Sequence, residues 1–141
     1  MLGAEKEIIA NYVAAGQVRI IFWPMTDLGR TSAEAATAAY CAGEQSPLLF
    51  WELYTLLFED TSTFRADRDY FIQQATAVGA DRSAFATCFD AGEQMALVDE
   101  LDQERRDMGI LRRPTFDING TQLFGSARYE TFAEAIEAAL P

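Results

Sequence analysis

A chain of 141 residues, half of them apolar and 12% aromatic, carries enough apolar side chain for one packed domain and too much for a disordered segment. Its formal charge of −11 argues against nucleic acid and against an anionic membrane surface, since both require basic patches. Histidine is absent, which removes the common His-dependent triads and the usual His-bearing zinc sites.

Residues 4–15, AEKEIIANYVAA, form an amphipathic pattern that predicts a helix ending at Gly16. VRIIFW at 18–23 is a short β-branched and aromatic run stopped by Pro24, and predicts a buried strand. Thr31 or Ser32 is placed to cap an alanine-rich helix reaching about Ala42. In SPLLFWELYTLLFED, Ser46 reads as an N-cap and Pro47 as the first helical residue. That helix is apolar almost all round, which predicts that it is the most buried one. Asp67 caps a helix closing near Gly79, Asp81 caps a shorter one, and EQMALVDELDQERRDM makes another that stops at Gly109. Strands at 115–118 and 121–124 flank Asn119-Gly120, the strongest short hairpin signal, and YETFAEAIEAAL supplies a last helix. There is no internal repeat, linker or low-complexity tract, so the expectation is one domain.

The chain carries two cysteines, Cys41 and Cys88, and no Cys-x-x-Cys. The apolar runs are too short to span a bilayer. The opening MLGAEKEIIANY places acids where an export signal is basic and then apolar, so no such signal is read there. The carboxylates of ELYTLLFED and DELDQERRD read as solvated helix faces with i,i+4 pairing rather than as acid–base pairs. Trp23 and Trp51 lie in apolar runs and read as core rather than as ligand-stacking rings.

The element order resembles a DsbA-like thioredoxin-fold disulfide oxidoreductase. So do the segments EKEIIANYV, GQVRIIFWPMTDLG, AAYCAGEQ, FWELYTLLFED, FATCFDAG and RRPTFDINGTQLFGSARYETFAEAIEAAL. The resemblance spans nearly the whole chain and is most specific from Pro114 to the C-terminus. It implies an α/β, thioredoxin-like, DsbA-type fold, with thioredoxin-like parts 1–31 and 109–141 around a helical insertion at 32–108. It makes Pro114 the cis-proline at the start of a core strand, in a peptide-binding loop with Arg113 and Thr115. The family's loop usually reads Gly-Thr-Pro-Thr-Phe, whereas Arg112 and Arg113 precede Pro114 here. These arginines form the one basic pair near the family's groove, either docking acidic peptide or offsetting the acidic surface.

In that family a first core strand leads into Cys-x-x-Cys at a helix start, where dipole and free amides stabilise the thiolate. The resemblance therefore implies a chain that begins inside that helix, N-terminally truncated so that the first core strand is missing. No catalytic residue is assigned. Cys41 and Cys88 stand where family members join helices of the insertion, so the resemblance implies a structural disulfide. Inert buried thiols and a reactive pair are the alternatives.

The implied function is a DsbA-family thiol-disulfide oxidoreductase-like domain without redox activity of its own. The alternatives are a peptide-binding module using the cis-proline groove and a glutathione-linked isomerase or transferase relative. No metal ligands or cofactor are called for. The expected partners are extended peptide or protein substrate and, through open sheet edges, a second copy in a homodimer. The compartment is not readable, although family members are commonly extracytoplasmic.

Overall fold

Local signals at polar residues account for three of the observed helix starts. The computed structural model describes residues 2–59 and 67–141. Helix α1 (Leu2–Ile8) runs into a π-helical segment (Ile9–Val13), followed by α2 (Arg30–Gln45), α3 (Pro47–Glu59), α4 (Arg68–Ala77), α5 (Arg82–Ala91) and α6 (Glu93–Asp107). Strands β1 (Thr115–Ile118) and β2 (Thr121–Phe124) precede α7 (Tyr129–Ala139). Ser46 Oγ accepts from the Leu48 amide at 3.2 Å, Asp67 from Tyr70 at 2.8 Å and Asp81 from Ala84 at 2.7 Å, as the cap residues predict. Helix α2 departs from expectation. It starts at Arg30 behind Gly29, whose φ is +88°, rather than at a Thr31 or Ser32 cap.

Two compact units divide the chain: Met1–Phe22 with Arg106–Pro141, and Trp23–Arg105. In the second, α2 places Thr37, Ala38, Ala39, Cys41 and Ala42 inside, more than α3 does. These small side chains let neighbours approach closely, and a Cβ on Gly43 would stand 3.3 Å from Phe50 Cβ. Helix α3 is therefore not the most buried, contrary to its composition. Leu53, Tyr54 and Leu57 are inside, but Leu48 and Phe58 are exposed. Phe71, Ile72 and Phe85 from α4 and α5 complete this core.

The first unit packs Tyr12, Phe132 and Ile136 against Phe116, Ile118 and Leu123 of the hairpin. Phe116 and Phe132 meet edge to face at 4.7 Å. Asn119 (φ 49°) and Gly120 (φ 96°) make the left-handed turn expected of Asn-Gly. Gly120 N–H donates to Asp117 Oδ1 at 2.8 Å, which fixes the register Ile118↔Thr121 through Thr115↔Phe124.

The sheet contains β1 and β2 alone among the described residues, and 18–23 is not a strand. The physical reason is the lack of a ladder partner. The Val18 amide is held by Tyr12 O at 3.2 Å, and no backbone bond joins Arg19, Ile20 or Ile21 to another described residue. A β-prone composition describes a segment that fits a pleated surface, but pairing makes the strand.

Candidate functional site

The loop before β1 is built by the strand that follows it. The Arg113–Pro114 peptide bond is cis. Gly125 N–H donates to Pro114 O at 2.9 Å, extending the hairpin ladder one step behind the proline. Thr115 Oγ1 donates to Arg112 O at 2.5 Å and closes the loop on itself. Arg112 and Arg113 are exposed, and the Arg112 guanidinium carbon lies 5.6 Å from the Phe124 ring centre, in cation–π range. Arg112, Arg113, Pro114 and Thr115 thus form one surface loop with two guanidinium groups and an exposed aromatic ring beside it.

Behind the hairpin, Tyr12 Oη donates to Glu137 Oε1 at 2.9 Å and Asn11 Nδ2 donates to Tyr129 Oη at 2.8 Å, tying the π-helical segment to α7. The bond to Glu137 is the main reason the Tyr12 phenol is pushed well above its ordinary value, with burial and Tyr129 adding to it. Glu5 is pushed above the usual carboxylate range by burial, and its Oε2 has no hydrogen-bond partner among the described residues.

The cysteines lie in the helical unit. Cys41 Sγ and Cys88 Sγ are bonded at 2.03 Å, joining α2 to α5, and Cys41 has no exposure at all. Neither cysteine starts a helix, so neither sits where helix amides would stabilise a thiolate. There is no free cysteine among the described residues. Cys41 and Cys88 are therefore joined in a disulfide rather than standing as separate buried thiols.

One charged cluster was missed by reading DELDQERRD as a solvated face. Asp102 and Arg105 are each only 3% exposed. Arg105 Nε donates to Asp102 Oδ1 at 2.8 Å, and Nη2 reaches Asp27 Oδ1 at 2.5 Å. Asp102 also accepts from Thr26 N–H at 3.1 Å and Thr26 Oγ1 at 2.8 Å. Burial alone would raise the Asp102 pKa, but the Thr26 and Arg105 donors outweigh it and hold the group at about 2. Nearby, Trp23 is 42% exposed rather than core, and its indole N–H donates to Leu101 O at 2.6 Å. The network anchors 23–27 to α6. Trp51, by contrast, is half-buried against Phe50 and Tyr54 at 5.0 and 5.4 Å. Asp60, the last carboxylate of ELYTLLFED, lies outside the described residues.

A cavity of about 630 Å³ in the helical unit is lined by Arg30, Glu34, Arg68, Asp90, Phe89 and Met95 among others. Both of its arginines are paired, Arg30 with Glu34 at 2.6 Å and Arg68 with both oxygens of Asp90. Among the described residues no group of three or more acidic or cysteine side chains is placed to hold a metal ion, and no helix is long and apolar enough to cross a membrane.

A family model described as Thioredoxin matches residues 2–138. The chain belongs to the thioredoxin family. No curated protein and no solved structure gives a significant match. In this thioredoxin family member, the hairpin and α7 make up the α/β part, and the two cysteines are bonded to each other in the helical unit.

Proposed function

We propose that this thioredoxin family member is a DsbA-type domain that holds extended, acidic protein segments at the Arg112–Thr115 loop without exchanging thiols through its own cysteines. The observation that carries the reading is the Cys41–Cys88 bridge. It uses both cysteines of the chain, buries Cys41, and lies away from any helix N-terminus. Thiol exchange requires an accessible thiolate of lowered pKa, which this bridge does not supply. The loop retains features of a peptide site: an exposed guanidinium pair and an aromatic ring beside a strand.

The test is fluorescence anisotropy with an extended acidic peptide and a basic peptide of equal length. The acidic peptide binds, and Arg112→Glu with Arg113→Glu weakens it about tenfold, as expected when charge-assisted contacts turn repulsive. Equal affinity for both peptides, or an unchanged affinity in the double variant, contradicts the reading.

A further inference from the structure

The tip of the hairpin carries the chain's one Asn-Gly pair, and both residues are exposed. In water an asparagine side chain followed by glycine is open to attack by the next backbone nitrogen, because glycine has no Cβ to crowd the approach. No described atom stands within 4 Å of where a Cβ on Gly120 would lie, so the space beside that nitrogen is free. Two features of the turn oppose the reaction. Attack requires the Gly120 nitrogen and the Asn119 Cβ to lie on the same side of the Cα–C bond. The left-handed conformation of Asn119, φ 49°, goes with a ψ of about +47°, which places that nitrogen on the far side from Cβ. The Gly120 N–H is also held by Asp117 Oδ1 at 2.8 Å, and a proton shared with a carboxylate is harder to remove.

We infer that Asn119 is a site of spontaneous deamidation that reacts only when the hairpin opens, and that Asp117 is the positioning residue that keeps the turn closed. In the opened turn the Gly120 nitrogen forms a bond to Asn119 Cγ. The Cγ–Nδ2 bond breaks, and ammonia leaves with the proton from the Gly120 nitrogen. Water then adds to either carbonyl of the five-membered imide, giving aspartate or isoaspartate. No oxidant or reductant takes part. Isoaspartate carries the main chain through Cγ and so adds one carbon to a two-residue turn whose geometry is matched to the strand twist. The Ile118↔Thr121 pair sits directly beside that carbon, and Ile118 packs on the cluster of Tyr12, Phe132 and Ile136. The modification therefore loosens the seat of the hairpin on α7, and it accumulates with the time the hairpin spends open.

This inference is independent of peptide binding at the Arg112–Thr115 loop, and neither test decides the other. Peptide mapping by mass spectrometry follows the intact chain during incubation in mildly alkaline buffer, folded and in denaturant. Asn119 converts in denaturant, and about tenfold more slowly in the folded protein. Asp117→Ala removes the charged acceptor and speeds conversion of the folded protein about tenfold, whereas Asp117→Asn keeps an accepting oxygen and stays nearer the wild type. Asn11, the other asparagine, precedes Tyr12 and donates to Tyr129 Oη, and it stays intact in each folded variant. Conversion as fast in the folded wild type as in denaturant overturns the inference, and so does an Asn119 that survives in denaturant. An Asp117→Ala rate equal to that of the wild type, or conversion of Asn11 alongside Asn119 in that variant, overturns the role given to Asp117.

Discussion

Cys41 of α2 and Cys88 of α5 approach to 5.7 Å between Cα atoms and close a loop spanning 47 positions, with the bridge packed among Phe71, Ile72 and Phe85. The bridge thus cross-links the helical unit at its core, where it also ties α2 to the part of the chain that leads into α6.

Removing the bridge should destabilise the protein through the longer reach of the unfolded chain. For a loop of this length the chain-entropy model gives about 4 kcal/mol, and measured values commonly fall to about 2 kcal/mol. Urea unfolding of the Cys41→Ala, Cys88→Ala double variant should show a lower midpoint with the helical content retained before the transition. An unchanged midpoint would contradict a stabilising role.

Asp102 and Arg105 should behave as a buried pair whose halves cannot be separated cheaply. Asp102→Ala leaves the Arg105 guanidinium and the Thr26 amide without their main acceptor, and about 3 kcal/mol of stability should be lost. Thermal unfolding monitored by circular dichroism checks this value.

The same group sets an acid limit. The folded pKa of Asp102, about 2, lies below the ordinary carboxylate value. Its stabilisation is therefore present above about pH 4 and is lost as pH falls through about 2. Urea midpoints measured between these limits should decline less steeply in Asp102→Asn than in the wild type.

Tyr12 supplies the opposite sign. Its phenol is raised by the Glu137 bond, so its contribution is complete below the usual tyrosine pKa and fades as pH climbs toward the raised value. Ultraviolet titration should show phenol ionisation extending above the ordinary tyrosine range, and Tyr12→Phe should remove part of that late step.

Much of the fold was legible because its signals are local. Ser46, Asp67 and Asp81 bond amides two or three residues away, and Asn119-Gly120 sets its own turn, so short windows of sequence contain both partners. Strand formation at 18–23 was misread because the composition of VRIIFW carries no information about a ladder partner. The burial of Asp102 was hidden for a related reason. Its donor Thr26 lies 76 positions away, while its immediate neighbours are those of a solvated helix. Trp23 followed the same course, since its apolar neighbours suggested core and its indole is fixed instead by Leu101 O. The disulfide was suggested by family resemblance, not by cysteine spacing, which sets no geometry.

The measurement that bears most directly on the central claim is insulin reduction in the presence of dithiothreitol, run beside an intact-mass count of alkylatable thiols in the oxidised protein. No cysteine should be alkylated, and insulin reduction should run no faster than with dithiothreitol alone. Turnover above that background which disappears in Cys88→Ser would contradict it, because the Cys41–Cys88 pair would then be the working redox centre.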